Sequence, residues 1–76
     1  MIDKLFIYAS TPSTVHSWSI RTQNKTFRSL HKAIEYAGEH VGELNALEVF
    51  IHNGDRREQI ICGEELQSLI MRVCHH

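Results

Sequence analysis

The side chains that could do chemistry in this chain are histidines, cysteines and a few carboxylates. His31 and Glu35 stand four residues apart and Glu39 continues the row, so on a helix the three share one face. An imidazole beside carboxylates at that spacing suits a metal ion. The same spacing also makes an ordinary surface ion pair, and neither an HEXXH pattern nor a third ligand accompanies it, so no metal site is assigned. Cys62, Cys74, His75 and His76 form a second set, one cysteine and then, after eleven residues, Cys-His-His. That order matches no familiar zinc module, and whether His75 and His76 are native or a fragment of a purification tag stays open in the sequence. Serines 10, 13, 17, 19, 29 and 68 are candidate nucleophiles. None sits in a glycine-rich turn or an elbow that would expose it to a base, and no phosphate-cradling loop is present. The expectation is a protein that is not an enzyme and carries no cofactor.

The elements that must position any contact surface follow from periodicity. Residues 4–9, KLFIYA, are rich in aromatic and β-branched types and predict a first strand. STPST at 10–14 reads as a loop around Pro12. VHSWSIRT at 15–22 alternates as a second strand, with His16, Trp18 and Ile20 on one face. Ser29 is a suitable N-cap for a helix carrying Leu30, Ala33, Ile34, Ala37 and Val41 on one stripe, with Gly42 as its stop. Leu47, Val49 and Ile51 alternate in a third strand, and Asn53-Gly54 predicts a tight hairpin into a fourth. A last helix opens at Gly63-Glu64-Glu65 and carries Leu66, Leu69, Ile70 and Val73 on its apolar side. The order is ββαββα. The topology it predicts is an α+β two-layer sandwich, a mostly antiparallel four-stranded sheet of order 2-1-3-4 with both helices on one face.

A sheet covered by one helical layer needs one apolar face, yet this one has apolar residues on both. Phe6, Tyr8, Phe50 and Ile61 are expected on the outer face, Trp18 on either, with Arg21, Arg56 and Arg57 as a polar rim. Large rigid side chains with one polar atom are the usual anchors of a protein contact. Adjacent aromatics on an open sheet also resemble a base-stacking platform for single-stranded nucleic acid. Against that second use stands the charge of −1, eight Lys and Arg against nine Asp and Glu, because phosphate binding favours a basic excess. The six histidines leave open a metal-responsive role.

At 76 residues the chain holds one domain, 1–76. Its 42% hydrophobic content is too high for disorder. The first residues, MIDKLFIYAS, contain too short an apolar run for a signal peptide or membrane span. A reducing, cytoplasmic compartment is expected, with Cys62 and Cys74 as free buried thiols.

A tryptophan in the second strand, the capped helix with Ala33-Ile34 and Ala37, and Leu47-x-Val49-x-Ile51-His52-x-Gly54-Asp55 resemble a family of short bacterial and phage-borne proteins known only as a domain of unknown function. The likeness runs over about Trp18 to Arg57. It implies a β-rich α+β fold and supplies no catalytic residues; the final helix departs from the family outline. The functional expectation is a protein-interaction module that binds a partner or itself. An inhibitor of a host complex carried by a phage or mobile element, such as one acting on a CRISPR surveillance complex, fits that class by size and analogy.

Overall fold

A computed structural model describes residues 3–54 and 59–74 of the chain. After a short helix, α1 (Lys4–Ile7), come strands β1 (Ser13–Ser17) and β2 (Lys25–Phe27), helix α2 (Leu30–Glu39), a 3-10 turn at Val41–Ala46, strands β3 (Leu47–Ile51) and β4 (Gln59–Cys62), and helix α3 (Gly63–Cys74). The sheet is antiparallel throughout, in the order β2-β1-β3-β4. The predicted order, class and sheet topology are therefore those of the molecule, with α1 added in front.

The core lies between the sheet and α2 and α3. Val15, Leu47, Val49, Ile51 and Ile61 enter it from the sheet, Leu30, Ala33, Ile34 and Ala37 from α2, and Leu66, Leu69, Ile70 and Val73 from α3. Each of the larger side chains contributes about 1.5–3 kcal/mol by leaving water. Ser29 caps α2, its hydroxyl accepting from the Lys32 amide at 3.2 Å. The helix ends earlier than its stripe implies: His40 is the C-cap, the chain tightens into the 3-10 turn, and Val41 is left exposed. Gly42 plays no part in that ending.

Three expectations about the first third of the chain are corrected. Residues 4–7 are helical, because Asp3 caps them, its carboxylate accepting from the Leu5 amide at 3.0 Å. The first strand instead starts just after Pro12, whose carbonyl accepts from the His52 amide at 2.9 Å. The second strand is the short Lys25–Phe27 segment, not residues 15–22, of which the first three belong to β1.

The hairpin between β3 and β4 is also wider than expected. A two-residue loop at Asn53-Gly54 pairs Phe50 with Arg57; the structure pairs Phe50 with Ile60 and Ile51 with Gln59. That is a displacement of three positions, and an odd displacement turns every side chain beyond the loop to the opposite face. The tight turn needs positive φ at both central residues, and only Gly54 has it.

Candidate interaction surface

The outer face of the sheet is built from the positions that alternate away from the core. In β1 these are Thr14 and His16, in β3 Glu48 and Phe50, and in β4 Ile60 and Cys62. His16 lies opposite Glu48, Thr14 opposite Phe50, and Phe50 opposite Ile60. Trp18 follows the end of β1, but its amide donates to the Ala46 carbonyl at 2.8 Å, extending the ladder by one step. Its side chain therefore shares the parity of His16 and lies on this face.

These residues form a connected group. The Trp18 ring meets His16 edge to face at 4.7 Å, and His16 meets Phe50 at 6.0 Å. Trp18 Nε1 donates to Glu48 Oε1 at 3.3 Å, which fixes the indole while 71% of the residue stays open to solvent. Ile60 is 49% exposed at the other end of the group. The Glu48 carboxylate is 4.0 Å from His16 Nδ1, too far for a hydrogen bond, and that nitrogen is buried without a partner. Along the β2 side, Thr14 Oγ1 shares hydrogen bonds with Thr26 Oγ1 at 2.8 Å and His52 Nε2 at 2.7 Å. The face thus has an aromatic centre, a carboxylate beneath its tryptophan and hydroxyls at its margin.

Of the residues expected here from sequence, Phe50 is in place, and Trp18, open to either face in the sequence, lies on this one. Phe6 and Tyr8 are not, because their segment is helical: Phe6 is 83% exposed on α1, and Tyr8 turns toward the core, its hydroxyl accepting from Gln59 Nε2 at 2.8 Å. Ile61 faces inward and is fully buried, opposite Val49, for the register reason given above. Arg21 lies in the loop after β1, 3.9 Å from Glu43. Arg56 and Arg57 lie outside the described residues. Missing from the sequence reading were His16 and Glu48 as a facing pair and Ile60. The β1–β3 register joins the first two, and no local pattern announces it.

The other candidate chemistry is placed as follows. His31 Nδ1 and Glu35 Oε2 are 3.8 Å apart as an i,i+4 pair on α2. Among the described residues, no group of three or more His, Cys, Asp or Glu side chains gathers into a metal-binding arrangement. Cys62 and Cys74 are free thiols, but both are exposed rather than buried: Cys62 takes the outward parity of β4, and Cys74 ends α3. His75 and His76 lie outside the described residues. Among those residues no helix is long and apolar enough to cross a membrane.

Compared with protein-family models, curated proteins and solved structures, the chain matches none.

Proposed function

We propose that this chain is a small, non-enzymatic interaction module that docks the outer face of its sheet against another protein surface. The observation that carries the reading is Trp18, a large ring tied down through Nε1 to Glu48 yet mostly open to solvent. A pre-positioned aromatic loses little further freedom on binding, which is what a contact anchor requires. Phe50 and Ile60 extend the apolar area beside it, and Thr14 and Thr26 provide a polar rim. The Glu48 carboxylate under the indole favours a protein partner here over a phosphate backbone. Covering one face of a larger assembly, as a phage or mobile-element inhibitor of a host complex does, requires nothing beyond such a surface, and this role in the cytoplasm is part of the proposal.

The test is solution mass by light scattering over a concentration series for wild type, Phe50→Glu and Trp18→Ala. A dimer that both substitutions dissociate, with circular dichroism unchanged, identifies a second copy as the occupant. If wild type is monomeric, capture of one protein from a lysate by wild type and by neither variant supports the docking face. Self-association or capture that both variants retain would falsify it.

A further inference from the structure

The net charge of −1 conceals a division along the chain. Residues 1–34 carry Lys4, Arg21, Lys25, Arg28 and Lys32 against Asp3 alone, a balance of +4, whereas residues 35–76 carry eight carboxylates and three arginines, a balance of −5. The fold does not mix the two sets completely. Lys4, Arg21 and Arg72 each have a carboxylate partner. Lys25, Arg28 and Lys32 are exposed and, among the described residues, face no carboxylate within ion-pair distance. They lie within eight residues of one another, from the edge strand β2 into the first turn of α2.

Aromatic rings lie beside Lys25 and, one helical turn along α2, after Lys32, with Arg28 between the two cations in the chain. Lys25 lies opposite Val15 and so projects from the helix side of the sheet, away from the outer face. Its Nζ is 5.9 Å from the centre of the Phe27 ring and 5.5 Å from that of Tyr36. Phe27 and Tyr36 are 5.3 Å apart, and Tyr36 and His40 4.6 Å. Lys32, Tyr36 and His40 follow one another at helical i,i+4 spacing, so cation and rings form a single ridge along α2. Glu35 and Glu39 stand on the same solvent-facing side of α2 as Lys32, next to the ridge, and border a shallow cleft with Val73 and Cys74 of α3. All three rings of the ridge are partly exposed. Resting over two rings also restrains Lys25, so its ammonium is already presented outward.

We propose that this flank, formed by Lys25, Phe27, Arg28, Lys32, Tyr36 and His40, binds single-stranded nucleic acid. Cations spaced along a strip follow a phosphate backbone, and rings beside them accept unpaired bases with little regard to sequence. An acidic polypeptide would satisfy the cations but leave the rings without a role. The surface is separate from the outer sheet face, and the inference stands whether or not that face is a docking site.

The probe is a fluorescently labelled fifteen-nucleotide dT strand, with anisotropy read at about 50 and about 200 mM salt. Three cations on single-stranded phosphates give a log–log salt slope of about −2, which weakens binding by about 20-fold between those concentrations. Lys25→Glu, Arg28→Glu and Lys32→Glu should each reduce the affinity and flatten the slope. Lys32→Glu separates lost binding from lost folding, because it places a carboxylate three residues after the Ser29 cap and completes a capping box. Its melting midpoint should equal or exceed that of wild type while its affinity for the strand falls. Trp18→Ala should leave strand binding unchanged. The proposal is overturned by no binding at the lower salt, by affinity insensitive to all three reversals, or by equal affinity for a duplex of the same length. Preference for a poly-glutamate peptide over the strand would overturn it too, assigning the flank to an acidic polypeptide.

Discussion

At the scale of single residues, α3 packs closely over Gly38 of α2. A Cβ built there stands 2.6 Å from Cys74 Sγ and 3.3 Å from Ile70 Cγ2. Alanine in place of glycine inside a helix gains about 1 kcal/mol, but here that gain is opposed by overpacking, which typically costs about 1–3 kcal/mol. Gly38→Ala should therefore bring no increase in stability to wild type. In a Cys74→Ala background, where the nearest obstructing atom is gone, the same change should stabilise by about 0.5–1 kcal/mol. Urea melts of the four proteins check this, and simple additivity would show that the two positions do not touch. The residue scale is also where the outer face was hardest to foresee. Trp18 and Phe50 are visible as out-of-place apolar residues in alternating segments, whereas the His16–Glu48 pairing depends on two strands thirty residues apart in sequence meeting in one register. His16 Nδ1, buried there without a hydrogen-bond partner, follows from that meeting and from the Trp18 and Phe50 rings around it.

Among the elements, β4 shows how far one loop propagates. Its register buries Ile61 and exposes half of Ile60. Ile61→Ala should cost about 2–5 kcal/mol, the range for a large side chain removed from a core. Ile60→Ala should cost under about 1 kcal/mol, as surface changes do. Chemical denaturation of the two variants decides between this register and the one that a two-residue turn would impose, where the costs reverse. The elements legible in the sequence were those with a long period and a cap. The buried stripes of α2 and α3 and the inward alternation of β3 are the residues that periodicity selects. The first third was less legible for a physical reason. LFIY is an unbroken apolar run, and such a run fits a strand or a helical turn equally well; the Asp3 cap was the local clue that favours the helix. In β2, three residues with a lysine and a threonine carry too little pattern to distinguish a strand from a loop, and pairing with β1 determines it.

At the scale of the whole molecule, the two ends of the described chain are joined. Asp3 receives two hydrogen bonds from Arg72, at 3.2 and 2.6 Å, and Lys4 is 2.8 Å from Glu65, so α1 is tethered along α3. The hydrogen bond from the Arg72 guanidinium holds the Asp3 carboxyl below the usual carboxylate range and raises Arg72 in turn. A carboxylate whose folded pKa is depressed stabilises the fold above its unfolded pKa and loses that contribution as pH falls through the folded value. Asp3→Asn should therefore melt below wild type at neutral pH, and the difference should close in acid once Asp3 is protonated in both states. Thermal melts over a pH series from 7 down through the acid range measure this; a difference that does not change with pH would mean that the charge of Asp3 contributes nothing to the fold. The division of charge was open to inspection in the sequence from the start. The single sum of −1 averaged it away, and only the ion pairs of the fold reveal which cations are left over.

The central pair of strands carries a consequence in time. β1 and β3 are neighbours in the middle of the sheet, although Ser13 meets Ile51 only after the intervening β2, α2 and 3-10 turn have been laid down. The outer pairings, β1 with β2 and β3 with β4, are local, and closing the long loop between them is the slower event. Until it closes, each hairpin presents a bare edge that belongs to the seam, and the same edge on a neighbouring chain is an equally good match. The seam between β1 and β3 is thus the pairing in which the second half of another copy would fit as well as the chain's own.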